Sequence, residues 1–553
     1  MKNFENYKRM YDWKKPSHRS WPEKEITEAP IWCSVDLRDG NQALATPMSL
    51  QEKIEFFDHL VSIGFKEIEI GFPAASETEF QFTRYLIENN KIPDDVTIQV
   101  ISQAREDILQ KTFESLIGAK RVIVNIYNSI SRIQRDVVFN KSKEEVKQIA
   151  VNAANIMCEY IKDHPETEWQ FEYTPESFTN AEVDYSIDVI NSVLDVWKNQ
   201  TNYKPIINLT ATVECSTPNI FADQIEYVCE KINDRENVIV SIHTHNDRGT
   251  SVATSEMGLL AGANRIEGTL FGNGERTGNS DLMNIAMNMY VTGVDPKLDF
   301  SHINQTRRIF EKCTKMKVSP RHPYAGELVF TSFSGSHQDA ISKGLKNLSN
   351  DKSKKYWEMP YLPINPKDIH RHYEPIIRIN SQSGKAGIAF ILESQFGYNL
   401  PRNMQKEIGV FFKDLSDKLH KELTIEEIHY YFVKEFINRE DIVKVESYDI
   451  QNSNNNTSLD IIYSLKGKQK KGSKIGTGPI DAFVSILNDE GYNFSILDYI
   501  QESLNENAEK SQAVSYINIK INDTDIWAIG QDSDITKSGL KAVVSALNRI
   551  SNI

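Results

Sequence analysis

Residues 238–270 read VIVSIHTHNDRGTSVATSEMGLLAGANRIEGTL. The apolar, β-branched run Val238–His243 is followed by the amphipathic stretch Val252–Ala261 and then by a second run, Arg265–Leu270. Short apolar runs that alternate with helical patterns are typical of parallel strands joined by crossover helices. This stretch therefore predicts one strand–helix–strand unit of an α/β protein.

The same alternation extends from residue 31 to about residue 300. The predicted strands are Ile31–Asp36, Glu67–Gly71, Thr97–Ser102, Arg121–Tyr127, Trp169–Tyr173, Pro205–Thr212, Val238–His243 and Arg265–Leu270. The predicted helices are Leu50–Ile63, Glu77–Glu88, Glu144–Ile161, Val183–Val196, Phe221–Ile232, Val252–Ala261 and one after Asp281. Eight such units favour a (β/α)₈ TIM barrel over an open doubly wound sheet, which remains the alternative.

Composition limits the class of protein. The chain has 553 residues and a formal net charge of −14, so it is long enough for several domains and too acidic for nonspecific binding to nucleic acid or anionic membranes. The five cysteines contain no CxxC pair, which argues against a disulfide framework or a structural zinc site. The amino-terminal residues lack an apolar leader, and we expect a cytoplasmic protein.

The remaining segments predict further domains. Residues 1–30 contain Trp13 and Trp21 without periodicity and are expected to be an arm that packs on another part of the protein. Residues 301–435 are expected to be linker subdomains with helices around Asn304–Lys315 and Gln405–Lys421 and a loop-rich stretch, Tyr356–Gly387. The predicted domains are therefore an arm (1–30), a barrel (31–300), linker subdomains (301–435) and a C-terminal domain (436–553).

The C-terminal domain contains an internal repeat. Asp481–Asn488 recurs as Lys541–Asn548 with five of eight positions identical. Strand-like runs precede both copies, namely Leu459–Leu465, Val514–Ile521 and Ile526–Ile529. We therefore predict an α+β domain of two βββα repeats, with chance likeness between two amphipathic helices as the alternative. The tract Asn452–Asn456 and the basic run Lys466–Lys471 are expected to be solvated loops.

Metal-binding residue types follow two of the predicted barrel strands. His243 and His245 face the same way because side chains alternate along a strand. Asp39 follows strand one, which in a closed barrel lies beside strand eight. Two imidazoles and a carboxylate at the C-terminal rim leave open positions for a chelating substrate. The alternative is a pair of hydrogen-bonded strand-end histidines, but the combination favours a divalent metal site.

The chain resembles the 2-isopropylmalate synthases, within the metal-dependent (β/α)₈ enzymes that make or break carbon–carbon bonds beside a keto group. The motifs that carry the resemblance are Leu37–Gln42, Gly71–Pro73, Pro175–Ser177, Thr212–Glu214, His243–Asp247, Gly272–Asn279, Gly335–His337, Pro360–Pro363 and Asn380–Lys385. The resemblance implies condensation of acetyl-CoA with 2-oxoisovalerate (3-methyl-2-oxobutanoate) and thioester hydrolysis, giving CoA and 2-isopropylmalate for leucine biosynthesis. It further implies a homodimer with shared active sites and a C-terminal domain that binds leucine as feedback inhibitor.

The resemblance also assigns roles to residues. It implies Asp39, His243, His245 and Asn279 as metal ligands, Arg38 and Thr212 as substrate-binding residues, Arg38, Glu176, His337 and Tyr361 as catalytic residues, and Gly476, Gly478 and Ile480 as leucine-binding residues. Mg²⁺ is the expected ion, although this nitrogen–oxygen set also suits Mn²⁺ or Zn²⁺.

Three positions depart from the family pattern. Asn41 replaces the glutamate of many relatives, a feature associated with the longer synthases, and Asn125 stands where a histidine is expected. Asp481 replaces a small apolar residue in the leucine loop. The alternative functions are a citramalate or homocitrate synthase, a cleaving lyase or metal-dependent hydrolase, and a noncatalytic amino-acid-binding protein. A single pocket side chain can decide which oxo acid is accepted.

Overall fold

The computed structural model describes residues 3–7, 18–332, 334–350, 355–373, 385–419, 423–453, 456–504 and 512–550. Trp13 of the predicted arm, residues 380–384 of the last family motif and Lys421, the predicted end of a helix, lie outside these ranges. The chain forms two compact units. The first comprises Met1–Val329 and Ile364–His372, and the second comprises Phe330–Pro363 and Tyr373–Ile553.

The first unit contains a closed barrel of eight parallel strands. The strands are β1 Ile31–Ser34, β2 Glu67–Gly71, β3 Thr97–Gln103, β4 Arg121–Ser129, β5 Glu168–Glu176, β6 Ile206–Ala211, β7 Ile239–Thr244 and β8 Arg265–Gly268. Each strand pairs with the next in sequence, and β8 closes the barrel on β1 with Cys33 opposite Glu267. The predicted TIM barrel is confirmed, and the open sheet is wrong.

The crossover helices surround the barrel. They are α1 Leu50–Ile63, α2 Glu77–Glu88, α3 Glu106–Leu116, α4 Lys143–Lys162, α5 Val183–Trp197, α6 Pro218–Lys231, α7 Ser251–Leu260 and α8 Leu282–Val291, followed in the same unit by α9 Ile303–Thr314. Two of the predicted helices have the predicted bounds because their ends are marked by caps. Ser49, for example, accepts a hydrogen bond from the backbone N–H of Glu52, whose carboxylate accepts one from the N–H of Ser49.

Some predicted boundaries are wrong. Helix α6 begins at Pro218, three residues before the predicted start, because proline fits the first helical turn, where its missing N–H is not needed. Strand β8 ends at Gly268 rather than Leu270, since Leu270–Gly272 forms a 3₁₀ turn. Helix α3 was not among the predicted helices.

The segment before the barrel is anchored on α6. The Arg19 guanidinium makes two hydrogen bonds to the carboxylate of Asp223, at 2.7 and 2.6 Å. The Trp21 indole N–H also donates to Asp223, at 2.9 Å, and the Trp21 backbone N–H donates to Glu226. Trp21 is buried, so the expectation that an aromatic residue of the arm packs on another part of the protein is confirmed for this residue.

The Trp21→Ala variant is expected to destabilise the first unit by about 3 kcal/mol, since truncation of a large buried aromatic removes apolar contacts and leaves a cavity. It also removes one donor from the buried Asp223 carboxylate. Urea unfolding followed by far-UV circular dichroism measures the change. Tyr7→Ala is the matched control, because Tyr7 is 80% exposed. An equal effect of both substitutions would show that Trp21 does not anchor the segment.

The second unit begins with helices. They are α10 Gly335–Asn350, α11 Lys385–Phe396, α12 Met404–Leu419 and α13 Ile425–Phe436. The predicted helix Gln405–Lys421 corresponds to α12, whereas α10, α11 and α13 were not predicted. Helix α11 begins inside the stretch that was predicted to be loop-rich, Tyr356–Gly387. The division into domains at residues 30, 300 and 435 stays a prediction.

The C-terminal part of the second unit consists of two βββα repeats, as predicted. The first repeat is β9 Val443–Ser453, β10 Asn456–Leu465, β11 Lys468–Gly476 and α14 Pro479–Asp489; the second is β12 Ser495–Ser503, β13 Ala513–Ile521, β14 Thr524–Asp532 and α15 Ile535–Ile550. Each repeat forms an antiparallel three-stranded sheet, and one hydrophobic core joins both repeats.

The two predicted loops in this domain are largely wrong. Lys468–Lys471 begins β11, and only Lys466 and Gly467 form the turn, both with positive φ (48° and 74°). Two residues with positive φ are typical of a tight hairpin turn, and the basic side chains lie on an exposed strand. In the predicted loop Asn452–Asn456, Asn452 and Ser453 lie in β9 and Asn456 begins β10, while residues 454 and 455 lie outside the described residues. No helix among the described residues is both long enough and apolar enough to cross a membrane.

Candidate active site

The predicted metal residues lie together at the C-terminal ends of the barrel strands. Asp39 lies in a short π-helical turn, Asp36–Gly40, that follows β1. His243 is near the end of β7, and His245 lies just beyond the strand. The Asp39 Oδ2 atom is 3.2 Å from the Nε2 atom of each imidazole, and the two Nε2 atoms are 3.4 Å apart. The three side chains are buried and converge on one point.

Electrostatics in this group favour a cation. Burial alone would raise the pKa of Asp39, but the Arg38 charge and hydrogen bonds from the imidazoles outweigh it and hold that pKa well below its ordinary value. Burial alone would lower the pKa of His243, but hydrogen bonds and charges from Asp39 and Glu267 outweigh burial and raise it to about 9. A proton on His243 thus occupies the place that a metal ion would take.

Both imidazoles are oriented through their Nδ1 atoms. His243 Nδ1 is 2.9 Å from a carboxylate oxygen of Glu267, and His245 Nδ1 is 2.6 Å from the backbone carbonyl of Thr212. A carboxylate oxygen accepts hydrogen bonds, so Nδ1 of His243 carries the hydrogen, whereas Nδ1 of His245 lies between an acceptor, the Thr212 carbonyl, and a donor, Arg276 Nη2 at 2.7 Å. The Nε2 lone pair of a neutral His243 imidazole is then available to a metal ion, the usual arrangement of a histidine ligand.

Asn279 supplies the fourth predicted ligand. It pairs with His245 through backbone contacts and is 1% exposed. Its Nδ2 atom donates to the carbonyl of Asn273, at 3.1 Å, but its buried Oδ1 atom has no hydrogen-bond partner. A Cβ atom on Gly274 would lie 2.2 Å from Asn279 Nδ2, so glycine is required there for this orientation. An unpaired buried amide oxygen, on a residue whose backbone pairs with His245, fits a metal ligand, because buried polar atoms are rarely left unpaired.

Arg38 lies beside the metal residues. Its guanidinium is 3.1 Å from Asp39 Oδ1 and makes a short contact with Glu69. The Arg38 side chain is 13% exposed and lines a cavity of about 250 Å³ at the mouth of the barrel. The guanidinium is therefore held in place by two carboxylates while one edge faces the cavity.

Three further residues of interest line the same cavity: Glu176, Thr212 and Asn125. Burial raises the pKa of Glu176, with Arg38 and His245 opposing that rise. The Thr212 hydroxyl accepts a hydrogen bond from the N–H of Ser177, at 2.9 Å. Asn125, which replaces the expected histidine, accepts one from the Thr174 hydroxyl, at 2.9 Å.

Three family models match successive parts of the chain. The HMGL-like family matches residues 29–310, the alpha-isopropylmalate synthase post-catalytic domain-like family matches residues 327–393, and the LeuA allosteric (dimerisation) domain matches residues 422–551. The chain is 52% identical to a 2-isopropylmalate synthase from Clostridium acetobutylicum, over 97% of each chain. The chain belongs to the 2-isopropylmalate synthase family.

Two further relatives are also 2-isopropylmalate synthases. A 2-isopropylmalate synthase from Acetoanaerobium sticklandii is 51% identical, over 96% of this chain and 94% of that protein. Another, from Helicobacter hepaticus, is 49% identical over 99% of this chain and all of that protein. Among solved structures, hydroxymethylglutaryl-CoA lyase from Pseudomonas aeruginosa has a TM-score of 0.45 and 16% identity, and covers 54% of this chain and 97% of its own.

In this 2-isopropylmalate synthase family member, Asn41 has a structural role. Its side-chain oxygen accepts a hydrogen bond from the backbone N–H of Met48, at 2.7 Å, and its amide donates to Glu79, at 3.4 Å. The contact with Met48 needs a hydrogen-bond acceptor at position 41, and the contact with the Glu79 carboxylate needs a hydrogen-bond donor. A glutamate at this position would place two carboxylates against each other, so Asn41 suits this loop better.

His337 and Tyr361 lie in the second unit. Their rings stack with centroids 3.9 Å apart and an interplanar angle of 25°. Tyr361 is 60% exposed. The structure thus brings these two predicted catalytic residues together, and their role at a shared active site stays a prediction.

The predicted leucine-binding residues lie at the start of α14. Gly478 and Ile480 line a cavity of about 730 Å³ together with apolar residues that include Phe494 and Ile496. Gly476 does not line it; a Cβ atom there would lie 2.6 Å from the backbone N of Ala482. Asp481 accepts a hydrogen bond from the Thr477 N–H, at 2.9 Å, which explains a carboxylate at this helix start.

The sequence-based search for site residues missed a set of polar side chains inside the barrel, of which Gln99, Arg265 and Glu267 are fully buried. Glu267 orients His243, as described above. The signal was present in the sequence, because these residues interrupt otherwise apolar strands at positions whose side chains point inward. A buried strand that contains glutamate or arginine indicates a partner within the barrel.

Proposed function

We propose that this chain is an acyltransferase that condenses acetyl-CoA with 2-oxoisovalerate and hydrolyses the thioester to give 2-isopropylmalate and CoA, the first committed step of leucine biosynthesis. In this class of transfer the acetyl group becomes an alkyl group of the product. The observation that carries the proposal is the convergence of Asp39, His243 and His245 at the mouth of the barrel in a member of this family.

We propose Asp39, His243, His245 and Asn279 as the ligands of a divalent ion, with Mg²⁺ as the expected one. The Nε2 atoms of the two imidazoles, the ionised Asp39 carboxylate and the unpaired Asn279 oxygen are suitable donors. A bound divalent ion supplies Lewis-acid polarisation of the oxo acid carbonyl.

The residues of the chain would supply the remaining chemistry. Arg38 donates hydrogen bonds to the oxygen that gains negative charge when the acetyl carbon attacks the carbonyl. Its contacts with Asp39 and Glu69 hold the guanidinium in place before the reaction. Thr212 would bind the substrate carboxylate. Glu176 lines the cavity, and burial raises its pKa, which suits a group that transfers protons.

We further propose that His337 and Tyr361 take part in removing a proton from the acetyl-CoA methyl group, in the active site of a partner subunit. The stacked rings position an imidazole and a phenol side by side. The match to a dimerisation domain at residues 422–551 supports a homodimer. Leucine would bind in the apolar cavity at the start of α14 and inhibit the enzyme.

Metal binding is expected to release about one proton per site at pH 7, because the pKa of His243 is about 9 and the ion replaces its proton. Apparent metal affinity should therefore rise about tenfold per pH unit from pH 7 to 8 and level off above pH 9. Titration calorimetry in buffers of different ionisation enthalpy measures the proton count. A proton count of zero at pH 7 would show that His243 is not protonated in the metal-free protein.

The test of the proposed function is release of CoA thiol from acetyl-CoA in Mg²⁺ buffer. We expect turnover with 2-oxoisovalerate about tenfold or more above that with pyruvate or 2-oxoglutarate, since the pocket must distinguish the substrate side chains. Added leucine is expected to suppress the rate. Preference for pyruvate or 2-oxoglutarate would instead identify a citramalate or homocitrate synthase. A metal-bound protein without any turnover would contradict the proposal.

A further inference from the structure

The barrel interior beneath the metal residues is polar. TIM barrels are usually filled by branched apolar side chains. In this barrel the side chains of Glu69, Gln99, Arg265 and Glu267 are fully buried, and we call them the interior cluster. Two buried carboxylates are costly unless each receives several hydrogen bonds, so the arrangement of donors around them is informative.

Gln99, on β3, lies at the centre of the interior cluster. Its Nε2 atom is 2.8 Å from Glu69 Oε2 and 2.8 Å from Glu267 Oε1, so its amide group donates one hydrogen to each carboxylate. Its Oε1 atom accepts a hydrogen bond from Arg265 Nη2, at 2.6 Å. Because Arg265 can only donate, the amide has one possible orientation. Both hydrogens of the Gln99 amide nitrogen therefore take part in hydrogen bonds.

The second oxygen of each carboxylate contacts a residue of the proposed active site, Arg38 in one case and His243 in the other. The other oxygen of Glu69 contacts the guanidinium of Arg38. The other oxygen of Glu267 accepts from His243 Nδ1, at 2.9 Å, and from Asn208 Nδ2, at 2.7 Å. A continuous series of hydrogen bonds therefore runs from Arg38 through Glu69, Gln99 and Glu267 to His243.

We propose that Gln99 is a positioning residue that sets the location of the Arg38 guanidinium relative to the His243 imidazole. This inference rests on the proposed metal site for its effect on metal binding and on the proposed reaction for its catalytic consequence. Gln99 touches neither the cavity nor the metal residues; it acts through Glu69 and Glu267. The side chain at this position must donate to two carboxylates and accept from Arg265, as an amide does, whereas a glutamate would add a buried negative charge and remove both donors.

The test compares Gln99→Met with the wild-type protein in the absence of substrate. Methionine keeps the approximate volume and removes every donor. Titration calorimetry with MnCl₂ is expected to show metal affinity 10- to 100-fold weaker, the usual cost of losing support for a metal ligand. The stoichiometry should stay near that of the wild type, because only the affinity changes. Gln99→Asn, which is shorter and less disruptive, should show a smaller loss of the same sign.

Ser241→Ala is the matched control. Ser241 is equally buried and accepts a hydrogen bond from Arg265 Nη1, at 2.9 Å, but it lies outside the series of hydrogen bonds that runs from Arg38 to His243. Metal affinity within about twofold of the wild type is expected for this variant. The melting temperature of Ser241→Ala measures how much stability the barrel loses with one buried hydrogen bond.

A purely structural role for Gln99 predicts a different pattern. The melting temperature and the fraction of binding-competent protein would then fall in Gln99→Met and Gln99→Asn, while the metal dissociation constant would stay at the wild-type value. That pattern would overturn the proposal. If Gln99→Met does not fold, the dissociation constant of Gln99→Asn decides. The metal measurement needs no turnover, so failure of the proposed function, seen as a wild-type protein that turns over no oxo acid, is detected separately.

Discussion

The His243→Ala variant is expected to lose nearly all turnover and to bind the divalent ion on the order of 10³-fold more weakly. Loss of a residue that only supports a ligand costs 10- to 100-fold in affinity, so loss of a ligand itself costs more. The substitution also leaves Asp39 and Glu267 without the imidazole that both contact. Calorimetry with MnCl₂ and the CoA-release assay measure the two effects.

His59→Ala is the matched control for this variant. His59 is also a buried histidine of the first unit, but it lies on α1 and hydrogen-bonds Thr306, at 3.2 Å. Its substitution should lower stability and leave the metal dissociation constant unchanged. Wild-type metal affinity in His243→Ala would show that the histidine pair is hydrogen-bonded structure rather than a metal site.

The Arg38→Gln variant is expected to lower kcat by about 10²- to 10³-fold, the usual effect of removing one donor to a developing oxyanion. KM for the oxo acid should change less, because the lost interaction strengthens in the transition state. Metal affinity should not fall, since removal of a positive charge 3.1 Å from Asp39 favours cation binding. The opposite effects on metal binding distinguish this variant from His243→Ala.

Two further variants calibrate the result. Arg38→Lys keeps the charge but cannot contact both Asp39 and Glu69 as a planar guanidinium does, so it should restore only part of the activity. Arg105→Gln is the control for loss of an arginine, because the Arg105 side chain is 61% exposed and pairs only with neighbouring Asp107. A kcat for Arg38→Gln within twofold of the wild type would contradict the proposed role of Arg38.

Local patterns in the sequence determined the barrel strands, the C-terminal repeat and part of the candidate site. The alternation of apolar runs and amphipathic stretches predicted all eight barrel strands, because burial inside a parallel sheet requires continuous apolar segments. The spacing of His243 and His245 placed both on one side of a strand end. The repeated octapeptide predicted two βββα units, since each copy lies within the helix that ends its repeat.

Only the tertiary structure decided which polar residues meet inside the barrel. Three different strands contribute Glu69, Gln99, Arg265 and Glu267. The sequence of one strand does not predict which residue of another strand will accept its hydrogen bonds. Their contacts depend on the register of the closed barrel, in which β8 returns to β1. The sequence determined that a metal site could form at this rim; the closure of the barrel decided how its histidine and its arginine are held, because those hydrogen bonds join residues far apart in the chain.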